Sequence, residues 1–155
     1  MWTLIEKLLD ASPEQTPSSL PSKASSICMK AVVNVVVNFI ARDPQALSKE
    51  TEWDKFESIT GNEKTYISLI LTFVQKVIKS EQYDLNDKLE VHRLMIAMLE
   101  NVDCSEHLPI ILSLLLNELT QLCLPYPKNE LSIYLQTLAM CFFNNSGIVL
   151  NFIFK

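Results

Sequence analysis

Glycine is scarce in this sequence, with Gly61 and Gly147 the only two among 155 residues. Tight turns, bulges and phosphate-binding loops depend on glycine, because it has no side chain and tolerates positive φ. So few glycines argue against a fold of sheets and loops and leave no glycine-rich motif for nucleotide binding. Leucine-rich segments of helical period, separated by proline and by asparagine or serine clusters, indicate an all-α protein.

Positive charge is not in excess either. The chain has 13 basic and 18 acidic residues, a net charge of −5, which argues against a nucleic-acid binder because such proteins usually carry a basic stripe. No basic segment precedes an apolar one at the start, so no secretory signal is indicated. The longest apolar run, Leu108 to Leu124, contains Asn117, Glu118 and Gln121 and is too polar on one face for a membrane span. A mildly acidic helical scaffold suits basic protein partners, although this charge is also common in cytosolic proteins.

The four cysteines form no closely spaced framework. Cys28, Cys104, Cys123 and Cys141 contain no CxxC pair, so we interpret them as small buried hydrophobic residues in a reducing compartment. No disulfide framework is expected.

One close cysteine–histidine pair exists, Cys104 and His107. A metal site would need further ligands from residues distant in the sequence, such as Cys123 or His92. Zinc usually takes four ligands as two close pairs, and a cysteine nucleophile needs an orienting group and an oxyanion site that this sequence does not identify. We therefore expect Cys104 to be an ordinary helix-turn cysteine and His107 an exposed histidine. The sequence predicts no catalytic, cofactor-binding or metal-binding residue, and no enzyme.

Four helices are predicted in the second half of the chain, roughly Glu63–Ser80, Leu85–Val102, Glu106–Leu124 and Asn129–Phe143. Ser105 is the expected N-cap of the third, with Pro109 in its first turn. Its apolar residues recur at i, i+3, i+4, i+7, i+8 and i+11, which places them on one helical face: Leu108, Ile111, Leu112, Leu115, Leu116 and Leu119. Short turns make consecutive helices antiparallel neighbours.

The same pattern occurs 42 positions earlier. The stripe maps onto Tyr66, Leu69, Ile70, Phe73, Val74 and Val77, and the second helices match Leu89, Val91, Ile96, Ala97 and Met98 with Leu131, Ile133, Leu138, Ala139 and Met140. HEAT and armadillo repeats have periods of about 40–47 residues. The sequence therefore predicts a HEAT/armadillo-type α-solenoid segment of antiparallel hairpins; two unrelated amphipathic hairpins in a bundle are the alternative.

The first half of the chain is less regular. Trp2–Leu9 has the pattern of a helix end, and residues 12–26, rich in serine and proline, are expected to be a disordered insertion within a single segment spanning 1–155. Ile27–Arg42 contains a valine run that would suit a buried strand, but its length and surroundings favour a helix. Ser48–Ile59 is predicted as a short amphipathic helix, followed by Asn62 as the next N-cap.

The C-terminal residues begin another apolar helix after Asn144-Asn145-Ser146. These three residues fit a glycosylation sequon, but without a secretion signal we interpret them as a helix cap. The tail, Ser146 to Lys155, lacks the polar outer face of a capping repeat. We expect an exposed apolar edge there, in a fragment or in a chain that docks a partner.

Three segments resemble the C-terminal half of importin-beta superfamily transport receptors of the importin seven/eight type. They are KTYISLILTFVQKVI, EVHRLMIAMLENVDCSEHLPIILSLLLNELTQ and ELSIYLQTLAMCFFNNSGIVLNFI. The matching positions are Lys76-Val77, Pro109, Leu135-Gln136 and Phe142-Phe143-Asn144, with Trp2 a further match. The resemblance covers about ninety residues and implies a HEAT-repeat fold. For a full-length receptor it implies Ran-dependent nucleocytoplasmic transport, with cargo, Ran GTPase and nucleoporins as partners and a cytoplasmic and nuclear location. The amino-terminal Ran-binding repeats of these receptors have no counterpart in this sequence, so a segment of this size is not expected to transport cargo alone.

Two functions of different specificity follow. The first is a protein-binding segment of a nuclear import receptor, which holds a folded or basic cargo without covalent chemistry. The alternative is a generic HEAT-repeat scaffold or adaptor unrelated to transport. Neither involves direct contact with nucleic acid or membrane.

Overall fold

A computed structural model describes residues 22–51, 61, 64–81, 83–121 and 128–155. These residues form five α-helices: α1 (Ser22–Arg42), α2 (Tyr66–Lys79), α3 (Leu85–Asn101), α4 (Leu108–Gln121) and α5 (Lys128–Ile153). Short 3-10 turns cover Pro44–Ser48 and Ser105–His107. Glu50 and Thr65 form an isolated antiparallel bridge, and no named strand occurs among the described residues. The expected all-α class is therefore correct. The predicted helix at Trp2–Leu9 lies outside the described residues.

The valine-rich segment is helical. Four side chains spaced i, i+4, i+7 and i+11 are buried, Met29, Val33, Val36 and Ile40, whereas Val35 is exposed. A strand would have placed residues 33 and 35 on the same face, so the burial pattern has the helical period. Helix α1 begins at Ser22, so residues 22–26 of the expected insertion are helical, while residues 12–21 lie outside the described part.

Helix α2 begins later than the sequence suggested. Its N-cap is Thr65, whose side-chain oxygen accepts from the Ser68 N–H at 3.3 Å. Residues 49–51 run antiparallel to 64–66: Thr51 N–H donates to the Lys64 carbonyl at 2.6 Å and Tyr66 N–H to the Lys49 carbonyl at 3.3 Å. This pairing uses the backbone that a helix from Glu63 would have needed. It also makes the predicted helix at Ser48–Ile59 wrong over residues 49–51. Ser48 ends the preceding 3-10 turn. Residues 52–60 and Asn62 lie outside the described part.

Helix α3 begins with a side-chain N-cap, whereas α4 is entered through a 3-10 turn. Asp84 caps α3, since its carboxylate accepts from the Asp87 N–H at 2.9 Å. Before α4, Ser105 is not the N-cap that was predicted: it lies inside a 3-10 turn, and both its N–H and its hydroxyl donate to Asp103 Oδ1. The turn lets the chain enter the helix without a side-chain cap. Pro109 falls in the first turn of α4, as expected, where its missing N–H costs little.

Helix α5 is broken at Asn145. This residue has extended backbone angles, φ −159° and ψ 96°, between two helical halves. Its side-chain oxygen accepts from the Ile148 N–H at 3.2 Å, three residues on, which is the geometry of an N-cap. The interpretation of this site as a helix cap is therefore confirmed. The second half of α5 is the apolar helix predicted for the tail.

The first helices of the two predicted hairpins match in where they begin. Tyr66, the first residue of α2, and Leu108, the first residue of α4, are 42 positions apart. Nine of the twelve predicted stripe residues are buried: Leu69, Ile70, Phe73, Val74, Val77, Leu108, Ile111, Leu112 and Leu115. The second helices differ, because Val91, Ile96, Ala97 and Met98 of α3 are all buried whereas their counterparts on α5 are partly or fully exposed.

The difference follows from position in the packing. Helix α3 lies between α1 and α5 and also contacts α2, so it is covered on several sides. Helix α5 packs on α3 and α4. One core cluster runs through all five helices. Helices α1, α3 and α5 thus form a row, with α2 beside α3 and α4 beside α5.

Candidate functional site

The outward face of α5 leaves apolar side chains in water. Leu135 is 53% exposed and Phe143 84%; together with exposed Ala139 they follow an i, i+4, i+8 spacing along one edge of the helix. After the break, Leu150, Ile153 and Phe154 are also exposed, and Phe154 reaches 82%. The expected apolar edge near the C-terminus is present. A run of exposed large apolar residues on one element is typical of an interaction surface.

Beside Phe143 lies a groove, which we call the α3–α5 groove. It has a volume of about 390 Å³ and lies between the C-terminal end of α3 and the end of the first half of α5. Its lining residues are Leu99, Glu100, Asn101, Val102, Asp103, Met140, Phe143 and Asn144. Apolar side chains make up half of this set, and acids provide its charge.

Asn144 holds the two walls of the groove together. Its amide nitrogen donates to the carbonyls of Leu99 at 3.0 Å and Val102 at 2.8 Å, and its amide oxygen accepts from the Cys104 N–H at 2.9 Å. These carbonyls belong to the last turn and cap of α3, where no intrahelical partner is available. One side chain therefore ties α5 to the end of α3 and to the following turn. Because its amide is engaged in this way, Asn144 is not presented as a glycosylation acceptor.

Negative charge collects at the edge of the groove. Glu100 and Asp103 are both exposed there, and the C-terminal end of α3 adds the negative end of a helix dipole. Hydrogen bonds from the Ser105 hydroxyl and N–H lower the pKa of Asp103, so this carboxylate stays ionised at neutral pH. The residues that line the groove include no lysine or arginine.

A buried polar cluster joins α3, α4 and α5. His92 is fully buried, and its Nε2 lies 2.5 Å from Glu118 Oε2 while its Nδ1 lies 3.2 Å from Thr137 Oγ1. The Tyr134 ring meets the His92 ring edge to face, with centroids 4.7 Å apart. Sequence analysis had placed Glu118 on a polar outer face and His92 as a remote metal ligand; the structure pairs them.

The hydrogen bonds of this cluster fix the role of one ring nitrogen. The Thr137 hydroxyl donates to the Ile133 carbonyl at 3.0 Å, so its oxygen is left to accept from His92 Nδ1–H. The other ring nitrogen, Nε2, faces the Glu118 carboxyl group, so both ring nitrogens of His92 have a partner. A buried pair of this kind costs desolvation and is better suited to fixing how helices align than to adding stability.

The cysteine–histidine pair does not form a reactive site. Cys104 is fully buried, with its Sγ 3.9 Å from the Met98 carbonyl oxygen, and burial, with Asp103 and Cys141 nearby, raises its pKa to about 12. Its thiol is therefore protonated and unreactive. His107 is buried rather than exposed, contrary to the sequence expectation. It lines a cleft of about 270 Å³ with Ser48, Thr65, Ile67, Asp103, Ser105 and Glu106.

Metal ligands do not come together in the described residues. No group of three or more histidine, cysteine, aspartate or glutamate side chains there has a geometry that could hold a metal ion. Cys104 and Cys141 are buried free thiols, which agrees with their interpretation as small hydrophobic residues. Cys123 lies outside the described part, and so does the side chain of Cys28.

One helix has the length and composition of a membrane span. Among the described residues this is the stretch Leu131–Ile153, which contains an 18-residue window of high hydropathy, 22% of it buried; the mean hydropathy is 1.3. It contains the break at Asn145, and the polar side chains of Asn144 and Asn145 are tied to the turn before α4. A span needs about 20 continuous helical residues with internally satisfied backbone groups. A helix that packs on α3 and α4 with one face and exposes apolar residues on the other therefore explains the hydropathy as well as a membrane span does.

Comparison of the chain with protein-family models, curated proteins and solved structures gave no match.

Proposed function

We propose that this chain is a HEAT/armadillo-type solenoid segment whose function is to bind other proteins. The observation that carries the proposal is a pair of helices, Tyr66–Lys79 and Leu108–Gln121, that begin 42 residues apart. Three of the six matched stripe positions are buried in both: Leu69 and Ile111, Ile70 and Leu112, and Phe73 and Leu115. Each is followed by a second helix that packs against it. A unit of this size cannot bury its apolar faces alone, so copies stack and expose an extended surface.

The order of packing supports stacking. Second helices of consecutive hairpins meet in a solenoid, and here α3 packs on α5 while α1 packs on the other side of α3. In this arrangement α1 occupies the place of the second helix of a preceding hairpin. The His92–Glu118–Thr137 cluster lies where α3, α4 and α5 meet, so it fixes the register of one unit on the next.

The chemistry that the described residues offer is recognition. They provide an apolar row on α5 and a groove with an acidic edge. The chain as a whole has a net charge of −5. The buried Cys104 thiol is protonated and offers no nucleophile. Exposed apolar side chains and negative charge suit a partner protein with apolar and basic groups. Binding, with no covalent step, is the function that these features support best.

Nuclear transport is the more specific form of this proposal. It rests on the resemblance of residues 64–78, 90–121 and 130–153 to importin-beta superfamily receptors, which implies Ran GTPase, nucleoporins and basic cargo as partners and shuttling between cytoplasm and nucleus. A generic helical-repeat adaptor is the alternative; the repeat and the apolar surface suit it equally.

The experiment that separates these functions measures binding to defined partners. Purified protein is passed over immobilised GTP-loaded Ran, GDP-loaded Ran and a purified nucleoporin domain, with serum albumin as the reference surface. Transport predicts saturable binding to the nucleoporin domain. The two Ran surfaces serve as further references, because the Ran-binding repeats of the family are amino-terminal and have no counterpart in this sequence. Absence of binding to the nucleoporin domain would overturn the transport proposal and leave the adaptor function.

A further inference from the structure

We propose that the α3–α5 groove binds a short partner segment that carries leucine-like side chains beside arginine. This inference rests on the proposed protein-binding function and names the chemistry of the partner. The occupant is argued from three features of the groove: its apolar lining, its charge and its preformed shape.

Phe143 provides the apolar contact. Its ring is 84% exposed although Met140, one turn earlier, is partly buried and Leu99 across the groove is buried. A large side chain left in water beside a recess is a strong candidate for an interface anchor, since a partner gains by covering both the ring and the recess. The recess of about 390 Å³ is large enough for one or two aliphatic side chains.

The charge of the groove selects a cation beside the apolar anchor. Glu100 and Asp103 lie at its edge with the C-terminal end of α3, and both carboxylates are exposed. Arginine suits this place because its planar guanidinium pairs with a carboxylate and stacks on an aromatic face such as Phe143. A glutamate at the same place in the partner would be repelled.

The groove is preorganised for binding. Asn144 connects Leu99, Val102 and Cys104 through three hydrogen bonds of 2.8–3.0 Å, so both walls are held at a fixed separation. A preformed site saves the ordering cost that a loop would incur on binding. A short segment can therefore bind measurably with few contacts.

The test uses the complete chain labelled with nitrogen-15 and the capped peptide GSLRLRSG, followed by amide chemical shifts. Two matched peptides separate the parts of the proposal: GSLELESG reverses the charge, and GSARARSG removes the aliphatic side chains. We expect saturable shifts at residues 99–103 and 140–144 with GSLRLRSG, and binding at least about fivefold weaker for each matched peptide. Absence of saturable shifts at these residues, or equal binding of GSLELESG, would overturn the proposal.

Variants assign the binding to the groove. Phe143→Ser is expected to weaken GSLRLRSG binding about tenfold, and Glu100→Lys about fivefold. The matched controls are Leu85→Ser, which removes an exposed apolar side chain at the opposite end of α3, and Glu81→Lys, which makes the same charge change outside the groove. Both are expected to bind as the parent does. Equal loss in a variant and its control would show that the groove is not the site.

Two other occupants are outcomes of the same study. Self-association in sedimentation velocity that Phe143→Ser abolishes would assign the groove to a second copy of the chain. Sedimentation with phosphatidylcholine vesicles that is lost in the same variant would assign it to lipid. Either result overturns the peptide proposal. Failure here together with binding to the nucleoporin domain removes this inference alone and leaves the proposed function.

Discussion

At the scale of residues, two side chains connect parts of the chain that are far apart in sequence. Asn144 reaches the end of α3 about 40 residues earlier, and His92 joins α4 and α5 through Glu118 and Thr137. Each polar group is buried or half-buried and paired, as buried polar groups must be. Removal of one partner therefore lowers the free energy of unfolding by more than the value of the hydrogen bond, because the buried group left behind cannot form a hydrogen bond with water instead.

The Asn144 contacts give the first prediction. Asn144→Ala removes three hydrogen bonds to backbone groups at the end of α3 and should lower the free energy of unfolding by about 2–3 kcal/mol, measured by urea denaturation. The control is Asn151→Ala, an exposed amide on the same helix, which should change stability by less than about 0.5 kcal/mol. Equal effects of the two variants would contradict the role of Asn144 in tying α5 to α3.

Asp87 gives a prediction about pH. Burial, with the Asp84 carboxylate nearby, raises its pKa from 3.8 to about 6. The folded state therefore binds a proton more tightly than the unfolded state, and the stability that this proton contributes is complete below about pH 4 and lost as the pH rises through about 6. Asp87→Asn should remove this pH dependence and raise the free energy of unfolding at pH 7 by about 1–3 kcal/mol.

The measurement is urea denaturation of the parent and Asp87→Asn proteins at several pH values between 4 and 7. Glu81→Gln, at an exposed carboxylate, is the matched control and should follow the parent curve. A parent whose stability rises relative to Asp87→Asn over this range would have the opposite linkage and would refute the buried, protonated carboxyl.

At the scale of elements, the apolar period of the sequence predicted most of the helices. The 3.6-residue period located α2 to α5 and the helix in the valine run, because burial on one face leaves a strong signal. Helix starts were less predictable. Thr65 rather than Asn62 caps α2, since the pairing of 49–51 with 64–66 competes for the same backbone groups. Prediction of an N-cap from the neighbouring residues alone cannot take into account a backbone pairing with residues from another part of the chain.

The equivalence of α2 and α4 can be tested by core truncation. Ile70 and Leu112 are 42 positions apart and 1% and 0% exposed. Ile70→Ala and Leu112→Ala should each lower the free energy of unfolding by about 2–5 kcal/mol, because each leaves a cavity in the same kind of helix contact. Leu135→Ala, at a side chain 53% exposed, should cost less than about 1 kcal/mol. A small cost at either buried position would break the equivalence.

At the scale of the whole molecule, the groove and the buried cluster could not be read from the sequence. Glu118 was expected on the polar face of its helix with Asn117 and Gln121, whereas its side chain is buried against His92 of another helix. The groove needs Leu99 and Met140, about 40 residues apart, to line the same space, and no periodic pattern encodes which helix ends meet. The exposed apolar edge was predictable, since the tail is apolar on more faces than α5 can bury.

The central claim is that residues 66–107 form one stacking unit and that the following hairpin is its copy. The most direct test is to duplicate this 42-residue unit in register before Leu108 and to follow urea unfolding by far-ultraviolet circular dichroism, with a scrambled 42-residue insert as the control. A stacking unit should add helix, keep one cooperative transition and raise the m-value, because the longer array buries more surface. Loss of the cooperative transition in the duplicated chain, as in the scrambled control, would contradict the claim.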